Sequence, residues 1–325
     1  MALTFTELES ITRDYFLADG RKAVDIYFDD CFLIDKFMKQ KAGIWKRYPG
    51  GKRIRVPLSY DGQESGFYSR GEALSSDDRE ALNAAYFNQK HAYGNATIYR
   101  PDELENAGEY AEVELVTNKI EGAQKSIRKD IAGDLYSANT DSAKGLGGLL
   151  SCCFGSASVA YGGIAENDLV ASDLTKPWAA KNTTTTEAIG LGVIRTLRTS
   201  AKIGNGGFGK PDIGVTTETL FNIVSGILQV QQRFREDQDT AKAGFTNLVF
   251  EGMTLAADDY CTSGYLYVLN SKHIGFAIHT GGYFVRENWA NLSSNGPAGK
   301  TMKIYWDGNF VVSNRKAHAG HSNLS

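Results

Sequence analysis

The segment KRIRVPLSYD, Lys52 to Asp61, limits the possible folds more than any other part of the chain. Ile54, Val56, Leu58 and Tyr60 alternate with Arg53, Arg55, Pro57 and Ser59, which gives a strand one apolar and one polar face. A second extended candidate, AYFNQKHAYGNATIYR, runs from Ala85 to Arg100, and the polar, glycine-punctuated GQESGFYSRGEALSSDDRE lies between them. Together they predict a long β-hairpin with an elaborate tip. An isolated two-stranded hairpin is marginal in water, so something else must cover its apolar face. Within one chain the candidates are few, and the expectation is a neighbouring subunit.

From Pro101 to Ser137 the pattern changes. Val113, Val116, Ile120, Ala123, Ile127, Ile131 and Leu135 recur at three- and four-residue steps, the stripe of an amphipathic helix. Glu109, Glu112 and Glu114 sit early and Lys125, Arg128 and Lys129 late, which complements the helix dipole. Thirty residues in one helix would make a rod of roughly 45 Å. Before the hairpin, the first forty residues offer a helical candidate at Thr6 to Phe16 and no clear core of their own. After the long helix, short helices and strands mix. TTTTEAIGLGVIRTLRTSAKI predicts a helix with a threonine cap, PDIGVT a strand, and TETLFNIVSGILQVQQRF a helix. NLVFEGMTLAADD and GYLYVLNSKHIGFAI predict strands around a turn at Asp258 to Ser263. Asp307-Gly308 predicts a final hairpin turn.

Composition narrows the class. The 325 residues are 42% hydrophobic and 22% charged, the balance of a globular protein of one large domain or two ordinary ones. A net charge of −3 gives no electrostatic case for free nucleic acid or an anionic membrane as the main partner. No segment approaches the roughly 20 apolar residues of a membrane span. The N-terminus has no secretory pattern, so no membrane is expected. Cys31, Cys152, Cys153 and Cys261 match no zinc spacing and are expected to be buried free thiols.

Motifs for chemistry fail on context. In IGNGGFGKPD, Gly204, Gly206 and Gly209 spell a dinucleotide fingerprint, and Gly204, Gly209 and Lys210 nearly spell a P-loop. Both motifs need a strand before and a helix after. Here a helix precedes and a strand follows, and Pro211 stands where a magnesium-binding Ser or Thr belongs. The loop is expected to be a connector, with Gly204 as a helix C-cap. His318 and His321 lack a third ligand and are expected in a solvated tail. The adjacent pairs Asp29-Asp30, Asp77-Asp78 and Asp258-Asp259 point to opposite sides in extended structure, against shared proton chemistry. No catalytic residue, metal ligand or cofactor site is assigned. One charge pattern is suggestive: Lys36 to Arg55 holds eight basic residues and no acidic one, and Asp102 to Glu114 six acidic and no basic. Arg53, Arg55, Glu109 and Glu112 are therefore candidate assembly contacts, with Arg70 in the hairpin tip.

The order of these elements resembles the major capsid protein of tailed bacteriophages with the HK97 fold. GGKRIRVPLSYDG is similar to the family's ascending E-loop strand, and NKIEGAQKSIRKDIAGDLYS to its spine helix. The run from Gln231 to Phe276 resembles a recurrent coat-protein pattern: a helix ending in Arg-Phe, an apolar strand before a glycine, an acidic turn, and a strand ending in Leu-Asn. The resemblance implies an α+β HK97-like capsid fold. Its expected parts are an N-terminal arm (1–48), a β-hairpin E-loop (49–100), a P-domain spine helix (101–140), an inserted A-domain (141–262) and a return to P-domain strands (263–325). It implies a structural protein without cofactors or enzymatic activity, self-assembling into pentamers and hexamers of an icosahedral shell around double-stranded DNA. Its location would be the virion capsid, built in the bacterial host cytoplasm. A separate scaffolding protein (or none), a portal and a decoration protein are the implied partners, and the DNA is held without sequence-specific contacts. Some relatives crosslink a lysine to an asparagine, but no motif here selects a pair among Lys52, Lys90, Asn309 and Asn314. The alternatives are an encapsulin-type nanocompartment, which shares the fold, and a nucleotide-binding enzyme using the Gly204–Lys210 loop.

Overall fold

A computed structural model describes residues 31–41, 43–74, 76, 78–105, 115–138, 144–155, 160–171, 173–203, 209–230, 247–292 and 296–325. In chain order its helices are α1 (Phe32–Ile34), α2 (Arg100–Glu105), α3 (Leu115–Leu135), α4 (Leu149–Cys153), α5 (Leu191–Ser200) and α6 (Glu218–Val230), with a π-helical turn, Asp35–Lys39, continuing α1. The strands begin with β1 (Ile44–Tyr48), β2 (Arg53–Ser59), β3 (Leu82–Asn88), β4 (Lys90–Tyr99), β5 (Asn182–Thr183), β6 (Ile213–Thr216) and β7 (Asn247–Phe250). They continue with β8 (Met253–Ala257), β9 (Leu266–Leu269), β10 (Ile274–His279), β11 (Val285–Arg286), β12 (Ala290–Asn291), β13 (Gly299–Val312) and β14 (Ala319–His321). The chain divides into two compact units, one with His91–Asp130 and Gly281–Asp307, the other with Asp30–Lys90, Ile131–Thr280 and Gly308–Ser325.

In the first unit, β11 and β12 pair antiparallel with the opening half of β13 (Val285↔Tyr305, Ala290↔Thr301), and β4 joins the same strand. Buried Ala96 and Ile98 alternate with exposed Asn95 and Tyr99 along β4, the period of two of a strand. Gly94 is where α3 comes close: a Cβ there would lie 2.7 Å from the Ala123 carbonyl oxygen and 3.1 Å from Ile127. The predicted apolar stripe is real from Ala123 through Ile127, Ile131 and Leu135, all buried, while Val116 is exposed. α3 itself has 21 residues, about 30 Å; Val113, Glu109, Glu112 and Glu114 lie outside the described residues.

The second unit is built on a mixed six-stranded sheet in the order β5-β14-β9-β6-β8-β7. β6 is its centre, parallel to β8 and antiparallel to β9, and all four of its residues are buried. α5 and α6 bury Ile194, Leu197, Leu220, Phe221, Val224 and Leu228 against Leu255, Leu266 and Val268 of the sheet. A smaller ladder runs β1-β10-β13, where β1 is parallel to β10 and β10 antiparallel to the end of β13. α1 and the π-turn supply Phe37 to an edge-to-face cluster with Phe276 and Phe310, at centroid distances of 6.5 and 6.2 Å. Residues 31–38 are thus part of the core, although their mixed period gave no sign of it. Asp258 anchors their start from across the sequence, accepting from Cys31 Sγ at 3.2 Å and Leu33 N at 3.3 Å.

Three expectations fail here for identifiable reasons. Asp307-Gly308 does not turn: β13 runs straight through it, with Ile278↔Gly308 and Ala277↔Asn309 paired on β10. Ladder partners along both halves of the strand override the local turn tendency. The hairpin is instead at Glu251-Gly252, where both residues have positive φ (51° and 81°), as a two-residue turn between antiparallel β7 and β8 requires. The threonine run does not cap a helix; Asn182–Thr183 pair with β14, and α5 starts after Gly190. The C-terminal tail is not solvated. β14 sits between β5 and β9, with His318 and His321 buried. Small residues permit this, since Gly320 lies against the Phe154 ring so closely that a side chain would collide with it.

Candidate assembly surface

Of the hairpin predicted from Lys52 to Arg100, the part between Arg53 and Asn88 exists as a separate two-stranded sheet, whereas β4, the rest of the expected second strand, pairs with β13 instead. β2 and β3 pair from Arg53↔Asn88 to Ser59↔Leu82. Proline cannot donate, so Pro57↔Ala84 is a non-hydrogen-bonded pair, and by alternation so are Arg53↔Asn88, Arg55↔Tyr86 and Ser59↔Leu82. Two bonds agree with this parity: Tyr86 N turns away from β2 to Gly162 O at 2.8 Å, and Tyr60 N reaches Ala81 O at 2.9 Å. Pro57 therefore occupies an edge position whose N–H would have faced outward. Proline is tolerated there, and it blunts the free edge against further strands.

The inner face is anchored within the second unit. Phe87 meets Tyr161 edge to face at 5.6 Å, and Gly162, at φ +63°, lets Ala85 and Phe87 close onto the backbone. Behind Tyr161 stands Arg315, which has no exposed surface. Its guanidinium donates to the carbonyls of Cys152 (2.7 Å), Ser151 (2.9 Å) and Trp178 (3.1 Å), and it pairs with Glu166 at 3.2 Å. It also lies 5.3 Å from the Tyr161 ring centroid. Nothing in SNRKAHAG distinguished this arginine from a surface one.

The outer face and tip are bare. Gln63 and Arg79 exchange two side chain–backbone bonds across the hairpin, and a turn closes at Ser69–Glu72, where the Glu72 carboxylate accepts from Ser69 N at 2.8 Å. On this ordered frame Phe67 is fully exposed, Tyr68 70% and Leu74 66% exposed. Two exposed aromatics side by side in a polar loop are a sequence signal for a candidate contact surface, one that periodicity does not register.

Of the candidate contacts, Arg53, Arg55 and Arg70 are exposed on this hairpin, while Glu109 and Glu112 lie outside the described residues. Lys90 and Asn309 are buried, Asn309 donating to Asn88 O, and Asn314 accepts from Lys316 N. The glycine loop has the order expected of a connector: α5, then Ile203 N bonded to Gly209 O at 2.7 Å, then β6. Gly204 and Gly206 lie outside the described residues, and α5 ends on Ala201 with ordinary right-handed geometry. Lys210 is exposed and Pro211 buried. Asp212 next to them is engaged by Ser271 through its backbone N at 2.7 Å and its hydroxyl at 2.5 Å. All four cysteines are free and buried, and among the described residues no cluster of three His, Cys, Asp or Glu is placed to hold a metal.

No protein-family model and no curated protein matches the sequence. Solved structures do match. The cyanophage A-1(L) capsid asymmetric unit aligns over 94% of this chain and 97% of its own, with TM-score 0.67 and 16% identity. The capsid of the Myoviridae phage XM1 aligns over 100% and 99%, with TM-score 0.60 and 14% identity. The holo-SrpI encapsulin complex from Synechococcus elongatus PCC 7942 aligns over 100% and 97%, with TM-score 0.58 and 9% identity. The likeness covers nearly all of both chains in each case, and the α+β fold of this chain is the HK97-type shell fold.

Proposed function

We propose that the chain is a structural shell subunit, the major capsid protein of a tailed phage, with no catalytic activity of its own. Copies associate into pentamers and hexamers of an icosahedral shell enclosing double-stranded DNA. The observation that carries this reading is the hairpin: an ordered two-stranded arm with Phe67 and Tyr68 bare at its tip, on a fold matched end to end by capsid subunits. An arm with such a surface gains its stability when a neighbouring copy covers it. Residues 1–48 act as the N-terminal arm, 49–100 as the E-loop, 101–140 as the spine helix, 141–262 as the A-domain and 263–325 as the returning P-domain strands. Arg53, Arg55 and Arg70 are assembly contacts on the hairpin, and Glu109 and Glu112 are further candidate contacts. Scaffolding, portal and decoration proteins complete the particle, which forms in the bacterial host cytoplasm.

The encapsulin match supports a second reading, a protein compartment around cargo protein, with a lower TM-score than the cyanophage capsid, 0.58 against 0.67. Negative-stain microscopy of the expressed protein tests the shell reading. Uniform icosahedral shells or capsomer rings are expected, and a monodisperse monomer under all assembly conditions overturns it. Packaged DNA against packaged protein in particles from the native host separates the two readings.

A further inference from the structure

The hairpin carries opposite charge at its two ends. The segment from Lys36 with eight basic residues and no acidic one ends at Arg55, whereas Tyr60 to Leu82 holds six acidic residues against Arg70 and Arg79. Lys52, Arg53 and Arg55 are exposed at the root, and Asp78 and Glu80 are exposed on the returning side of the distal end. About six residues of extended chain separate the two groups, roughly 20 Å. That is more than two Debye lengths of about 8 Å in physiological salt, so each end presents its own sign. Both ends are held in place, the root by the β2–β3 ladder and the distal end by the Gln63–Arg79 bonds. Among the described residues no ion pair engages Lys52, Arg53, Arg55, Asp78 or Glu80; Arg79, by contrast, is within 3.9 Å of Glu64.

A neighbour does not join this hairpin by adding a strand, because Pro57 interrupts the free edge of β2, with Arg53 and Arg55 preceding it on the same edge. Two hairpins side by side in register would set root against root, like charge on like. Staggered hairpins set the acidic end of one on the basic end of the other. We infer that the acidic distal end of one copy's hairpin seats on the basic root of a neighbouring copy's hairpin, a tip-to-root contact that fixes the stagger between subunits. The inference rests on the shell reading and names the partner segment of the same arm.

Charge reversal with rescue tests it. Arg53→Glu with Arg55→Glu, and separately Asp78→Lys with Glu80→Lys, should each lower the assembled fraction roughly tenfold at low salt. The unassembled subunits should keep the wild-type thermal midpoint. The quadruple variant restores complementarity between copies and should recover assembly. Three results overturn the inference while leaving the shell reading intact: unchanged assembly in either double variant, failure of the folded quadruple variant to recover, or rescue of the arginine variant by Glu109→Lys with Glu112→Lys instead. Wild-type protein that never assembles overturns both.

Discussion

Arg315 and His318, three residues apart in the short helical turn between β13 and β14, are buried for different reasons and fail differently. Arg315 gathers three carbonyls and the Glu166 carboxylate around one guanidinium. Removing the charge leaves Glu166, whose side chain is 13% exposed, with the Ala180 N–H but without its ionic partner, and takes the guanidinium donors from three carbonyls. Arg315→Met is therefore expected to cost about 3–5 kcal/mol in urea unfolding of the unassembled subunit. Arg315→Lys should recover little, since a lysine cannot present the planar fork. His318 takes a hydrogen bond at Nδ1 from Asn270 N at 3.2 Å, and its Nε2 has no partner among the described residues. Burial pushes its pKa down to about 3. The folded state therefore holds it neutral while the unfolded chain protonates it near 6.5, so stability is lost as pH falls below 6.5 and continues to fall toward 3. Between pH 7 and 4.5 the loss is roughly 2–3 kcal/mol. His273, lowered by its own burial, adds in the same direction, and Asp258, raised by burial, opposes it at the acid end. Subtracting the unfolding curves of His318→Gln from wild type removes the Asp258 contribution and, apart from its charge coupling to His318, that of His273. A difference that does not change with pH would show that His318 is not the source.

Elements read from periodicity were legible where each was locally self-sufficient, and lost where partners decided. β2 alternates as the sequence predicted, because one of its faces lies on protein and the other in solvent. β6 and α6 were found by their apolar density. β13 was broken in two by a dipeptide that prefers to turn, because nothing local reveals that β10, β11 and β12 will claim its whole length. β14 and the core role of residues 31–38 were missed for the same reason: each is short, and its burial is conferred by Phe154, Phe276 and Phe310, far away in sequence. Of the candidate surface, the arm itself and its exposed arginines were legible; the aromatic tip was hidden inside a stretch judged polar overall. Pro57 yields a test at this scale. Its outward-facing position means Pro57→Thr restores an edge donor without disturbing the β2–β3 ladder. Subunit stability should stay within about 0.5 kcal/mol of wild type. Thioflavin-positive, sheet-type aggregation during assembly should rise, because the free edge becomes available to other strands. A large drop in the thermal midpoint would instead mean that Pro57 stiffens the strand from within.

At the scale of the whole molecule, the hairpin is a two-stranded sheet of its own with little buried surface among the described residues. Among the described residues its anchors are Ala85, Tyr86 N and Phe87 against Tyr161 and Gly162, while Phe67, Tyr68, Leu74 and Leu82 face solvent. Few buried contacts and an exposed backbone give a segment a low opening free energy. On the proposed shell reading, assembly would place that surface against a neighbour, and ordering the tip and forming the shell would become one linked equilibrium. The aromatic tip also makes the linkage measurable, because chymotrypsin cleaves after Phe67 and Tyr68 only when the loop can enter its active site. Unassembled subunits should be cut there first, leaving the rest of the chain intact. The same sites in purified shells should be protected by at least an order of magnitude in rate, as expected when a locally open segment is buried on association. Phe67→Ser with Tyr68→Ser should leave the subunit folded, with an unchanged far-ultraviolet spectrum, and yet raise the concentration needed for assembly. Equal cleavage rates in subunits and shells would place the tip on the outside of the finished particle. Assembly would then have to be driven from another face of the fold.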